Sequence, residues 1–157
     1  MKRGIFKIVF VFVIFVYNIY GDSFEDTIIK RNQKVLDLID IILQDQAYIT
    51  ALNNNIDERK KVPNFEYKED MVDTVIKELK SYGKASEFLI YFYAVPKKIA
   101  KSVPEEKQEY EKEKFKFYIF REIHYLYNSI VSSKKYVDRF MSNILLYIKD
   151  LNKRFKT

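Results

Sequence analysis

The sequence predicts an all-α protein, an up-and-down bundle of about four helices behind an N-terminal signal peptide. Three observations carry that expectation. Apolar residues recur at helical spacing along most of the chain. Turn-forming residues are scarce, with 3 glycines and 3 prolines in 157 residues, which leaves little material for a multi-stranded sheet. Cysteine is absent, so neither disulfides nor thiolate metal sites can hold the fold, and stability has to come from packing.

The first element is "MKRGIFK" followed by "IVFVFVIFVYNIYG". Lys2, Arg3 and Lys7 give a basic start, and the unbroken apolar run from Ile8 to Tyr17 has the length of a signal core. It falls short of the roughly 20 apolar residues that a spanning helix needs. Gly21 suits the last position before a cut, although Ile19 is bulkier than the small residue preferred there. We expect cleavage after Gly21, which makes residues 1–21 a signal peptide and 22–157 a single helical-bundle domain. The alternative is a retained, tilted anchor built on residues 8–20 with 1–7 inside. A buried core helix is disfavoured, because a segment apolar on every side must be surrounded by more protein than a chain of this size has to offer.

Removing residues 1–21 leaves 136 residues, a length that supports one sizeable core. It takes three of the 28 basic residues and none of the 22 acidic ones, lowering the net charge from +6 to +3. The high isoelectric point is thus partly a property of the leader. The remaining basic stretches, "KRNQK", "KKIAK" and "KDLNKRFK", are dispersed and interleaved with acids, unlike the concentrated basic face of a nucleic-acid binder.

In the mature chain, Ser23 can cap a helix with Asp26 three residues on, close to a capping box. Ile28, Val35, Ile42 and Ile49 then recur every seven residues, with Leu38 and Leu52 on the adjoining row. The pattern predicts one long amphipathic helix from Phe24 to Leu52, ended by Asn53 to Asn55. "IDERKKVPNFEYK" has charge, Pro63 and no period, and reads as a loop whose Phe65 and Tyr67 fold back onto the core. Met71, Val72, Val75, Ile76 and Leu79 form a second helical face, with Gly83 as its C-terminal stop. "ASEFLIYFYAV" is rich in strand formers, but nothing nearby can pair with a lone strand. We therefore expect a buried helix that Pro96 kinks or ends. Ser102 and Glu105 have capping-box spacing around Pro104, and Ile123, Ile130, Val137, Ile144 and Leu151 keep a seven-residue register to the end, joined by Leu126, Phe140 and Tyr147. Unbroken from 104 to 155, this helix would be about 75 Å long, far longer than its partners, so a break or bend is expected near Ser132 to Lys135.

Chemistry is thin. His124 is the single histidine, with no second His or Cys to share a metal, and Arg121 stands where a Glu-x-x-His pair would need its carboxylate. It reads as a satisfied, partly buried side chain. Glu105, Glu106, Glu109, Glu111 and Glu113 alternate with lysines and read as a solvated face. Phosphate cradles and nucleophile elbows both need clustered glycines. The expectation is a protein that is not an enzyme and takes no cofactor and no metal.

The aromatic residues offer more. "FLIYFYAV" and "FKFYIFREIHYLYN" carry rings at consecutive positions, which on a helix point in all directions. Either both segments are nearly enclosed, or part of the aromatic surface meets a partner or an apolar ligand through Tyr91, Phe92, Tyr93, Phe117, Tyr118 and Tyr125. At the C-terminus, Lys149, Lys153, Arg154 and Lys156 lie opposite apolar residues. They suit either an anionic membrane surface or the negative end of the helix dipole. The heavy use of Ile, Lys, Asn, Tyr and Phe resembles that of exported helical proteins from AT-rich bacteria such as Borrelia spirochaetes, a likeness of composition that transfers no site. The leading expectation is an exported, non-enzymatic bundle, in the periplasm or at the cell surface, acting on an unidentified protein partner. Peripheral membrane contact is possible and nucleic acid is not expected. The alternatives are a membrane-tethered structural subunit and a carrier of an apolar ligand.

Overall fold

A computed structural model describes residues 24–55, 64–129 and 134–156. The expected signal peptide and the Ser23 cap lie outside them. Among the described residues there are seven helices and no strands, which bears out the all-α class and corrects the number of helices. They are α1 (24–31), α2 (Gln33–Leu43), α3 (Gln46–Asn54), α4 (Met71–Ser81), α5 (Ala85–Ser102), α6 (Glu105–Asn128) and α7 (Lys134–Arg154).

The single helix expected from Phe24 to Leu52 is instead three segments, and polar side chains make both breaks. At Asn32 the side-chain amide donates to the Ile28 carbonyl at 2.8 Å, competing with the helical ladder for that acceptor. At Asp45 the carboxylate accepts from the Ala47 amide at 2.9 Å and starts α3 as its N-cap. Of the seven-residue register, Ile42 and Ile49 are buried, together with Leu36, Ile39, Leu43 and Leu52, whereas Ile28 and Val35 are only partly so. Leu38, placed on the buried row by its spacing, is 46% exposed.

The return of the chain to the core is as expected. Phe65 is fully buried, and its backbone N–H and C=O both bond to the Asn53 side chain, at 2.8 and 3.1 Å. Asn53 thereby serves the strap of residues 64–67 as a neighbouring strand would. Tyr67 donates to Asp40 at 2.9 Å. Beyond it, α4 buries the five residues of its predicted face. It closes in a Schellman turn, with the Lys84 amide on the Leu79 carbonyl and the Gly83 amide on that of Lys80. Gly83 has φ +66°, the left-handed conformation that only glycine adopts cheaply.

In α5, Pro96 neither ends the helix nor displaces its buried face, which runs from Ala85 to Ile99. Pro96 sits on the exposed side, where its ring meets solvent. The expected capping box at Ser102 does not form. Ser102 is the last residue of α5, its hydroxyl buried without a hydrogen-bond partner, and α6 starts after Pro104 with no side-chain cap. A break is present but begins earlier than expected: α6 stops at Asn128 and is capped at Ser129, Lys134 and Lys135 already belong to α7, and Ser132 and Ser133 lie outside the described residues.

The central element is α6, which packs against α2, α3, α4, α5 and α7. Glu111 near its start meets Arg154 at the end of α7, and Glu122 meets Asn143 further back, so the two helices are antiparallel. The Phe92–Phe115 contact and the bond from the Gln108 side-chain amide to the Val103 carbonyl orient α5 the same way against α6.

Candidate functional site

The six aromatic residues singled out in the sequence do not form one surface. Phe92 is core, packed on Phe115. Tyr91 is half-buried and donates to Glu87 at 2.8 Å, whereas Tyr93 faces solvent beneath the ammonium of Lys97. On α6, Phe117 turns toward α3, where it meets Tyr48 edge-on and Phe120 in a stack. Tyr48 donates to Glu113, and burial together with that carboxylate raises the phenol pKa far above its usual value. Tyr118 turns toward α7, donates to the Asn143 carbonyl at 2.6 Å and lies against Tyr147. Tyr125 packs its ring edge-on to Phe65 and leaves 41% of its surface open.

His124 is fully buried rather than partly so, between Phe65 and Phe120. Its Nε2 lies 3.4 Å from the Leu43 carbonyl, an acceptor left over at the end of α2. A bond there puts the proton on Nε2 and leaves Nδ1 a bare acceptor, which has no partner among the described residues. Burial drives the imidazole pKa down to about 4, against a weaker upward pull from Leu43. The ring is neutral at physiological pH and walled off from any substrate. The described residues hold no cluster of three or more potential metal ligands.

Glu111 departs from the solvated face assigned to it. Only 3% exposed, it accepts two bonds from the Arg154 guanidinium, at 2.6 and 3.1 Å, and Arg154 also donates to Asp150 at 2.8 Å. Arg154 is therefore spent on an internal clamp, while Lys149, Lys153 and Lys156 remain exposed. The Tyr147 hydroxyl is buried near this clamp without a partner, and burial first, then Glu111, pushes its pKa up to about 12.

The outer seam between α6 and α7 contains two adjoining hollows of about 430 Å³ each, and Arg121 lines both. The first is walled by Glu122, Tyr125, Leu126, Ser129, Tyr136, Arg139, Phe140 and Asn143. The second is walled by Lys114, Phe117, Tyr118, Leu146, Tyr147 and Asp150. On each helix these residues repeat at intervals of three and four, so the hollows follow one groove along the helix pair. Leu146, 62% exposed, is its apolar high point. Three of the six predicted aromatic residues, Phe117, Tyr118 and Tyr125, contribute to it. Leu146, Tyr136 and Arg139 were missed because each looks like an ordinary surface residue until α7 is laid beside α6.

The groove's acids are occupied within the chain. Asp150 is held by Arg154, and Glu122 accepts from Asn143 at 3.1 Å beside Arg121 at 3.6 Å. A third hollow, beside the strap, is lined largely by amide and acidic side chains, and its Asn53 is already committed to Phe65. Among the described residues no helix is long and apolar enough to cross a membrane. No protein-family model, curated protein or solved structure matches the chain.

Proposed function

We propose that the chain is an exported, non-enzymatic interaction protein, released from its signal peptide after Gly21 and acting in the periplasm or at the cell surface as a helical bundle that docks a partner protein along the α6–α7 groove. The observation that carries this reading is the groove itself, where exposed Leu146 and Tyr125 stand among arginine and tyrosine side chains. Large aromatic and arginine side chains around an apolar anchor are the composition of binding hot spots. Packing inside the bundle lends no comparable support to a ligand carrier. Where Ile39, Val72, Ile76, Phe88 and Ile123 meet, the space left does not admit a water-sized sphere.

A photo-reactive amino acid placed at Leu146 or Tyr125 in producing cells should crosslink to one discrete protein. The same probe at Lys77, on the exposed side of α4, should not. Equal labelling from all three positions, or none from the groove, would sink the reading. N-terminal sequencing of the cell-derived protein should return Asp22 as the first residue.

A further inference from the structure

Resting on that reading, we infer that the groove's partner segment is an acidic amphipathic helix. The warrant is charge complementarity. Asp150 and Glu122, the acids of the groove, already have partners inside the chain, whereas Lys114 and Arg139 have no ion pair among the described residues. Arg121 has only the 3.6 Å contact to Glu122 and rests over the Tyr118 ring, its guanidinium centre 5.1 Å from the ring centroid. With Lys114, Arg121 and Arg139 set against Glu122 and Asp150, three cations to two acids, the groove lining is net positive, with cations on both walls and Leu146 on the α7 wall as the apolar seat. An acidic helix gains from this field and a basic one is repelled.

The shape agrees. The hollows reach from Lys114 on α6 to Ser129 at its C-cap, a rise of about 22 Å, which matches about 15 residues of helix. Two packed helices offer a third helix a ready groove for its apolar stripe. The chain's own leader is a poor occupant, since residues 1–21 contain Lys2, Arg3 and Lys7 and no acid.

The test uses the purified full chain and a fluorescent 16-residue helical peptide with leucines on one face flanked by glutamates, beside a twin with lysines in place of the glutamates. Anisotropy should show binding of the acidic peptide that weakens at least tenfold in the Arg121→Glu/Arg139→Glu variant, and weakens with added salt. Leu146→Asp should abolish binding, and circular dichroism should show both variants folded. Equal binding of the two peptides, or undiminished binding to the double variant, would overturn the inference. So would sedimentation showing the groove covered by a second copy of the chain. If crosslinks form at Leu146 while the acidic peptide fails to bind, the interaction reading stands and the acidic partner falls. If no crosslinks form, both fall.

Discussion

His124 carries the clearest pH signature in the chain. In the unfolded chain its imidazole titrates near 6.5, and in the fold burial holds it near 4. Below 6.5 the unfolded chain takes up a proton that the folded ring refuses, so stability falls as pH drops and levels off below the folded pKa. Between pH 7 and pH 5 this one group should remove about 2 kcal/mol. Urea titrations at the two pH values should show that loss in the native chain and a much smaller one in His124→Leu. An identical loss in both would mean that other groups carry the pH dependence. The Glu111–Arg154 clamp behaves differently. It gives a 3%-exposed carboxylate two bonds from one guanidinium, and breaking such a buried pair costs more than forming it gains.

Gly83 illustrates what a single position does for an element. At φ +66° it lets the last carbonyls of α4 close on the Gly83 and Lys84 amides and turns the chain into α5. A Cβ there would meet nothing within 4 Å, so Gly83→Ala is a pure backbone test. The left-handed strain on alanine, partly offset by its smaller unfolded-state entropy, should cost about 1 kcal/mol. Thermal unfolding should show it as a Tm lower by a few degrees, and no change would mean that the turn relaxes at no cost. This stop was legible in the sequence, as were the α4 face, the folding back of Phe65 and the register that buries Ile123, Val137, Ile144 and Leu151. Each is written in local spacing. The breaks at Asn32 and Asp45 were not legible, because an Asn or Asp within an apolar register marks a cap only once its side chain has taken a backbone partner. Glu111 was misjudged for a related reason: its partner Arg154 lies 43 residues away, beyond the reach of any local pattern. The groove was half legible, since its aromatic residues stood out on α6 while the α7 wall depended on the pairing of the two helices.

Across the whole molecule, packing is centred on α6, and α1 sits at the edge. The buried faces of α2, α4, α5 and α7 join α6 in one hydrophobic core, to which α1 adds only the partly buried Ile28 and Ile29. The polar ties of α1 reach the α4–α5 corner. Glu25 accepts from the Ser86 amide at 3.1 Å and the Ser86 hydroxyl at 2.7 Å, and Asp26 pairs with Lys80 at 2.6 Å. Glu25 thus supplies the first turn of α5 with the acceptor that Lys84, the residue in the N-cap position, does not provide. Losing it frees the edge without opening the centre, because local and global opening are separate equilibria in a native protein. In Glu25→Ala, amides of residues 24–31 and of Ser86 should exchange with deuterium about fivefold faster, the equivalent of about 1 kcal/mol. Amides of Phe120 and Ile123, at the middle of α6, should keep their rates, because they exchange only when the whole bundle opens. If α6 accelerates as much as α1, the first helix belongs to the same cooperative unit as the core, and its shallow burial understates its hold on the fold.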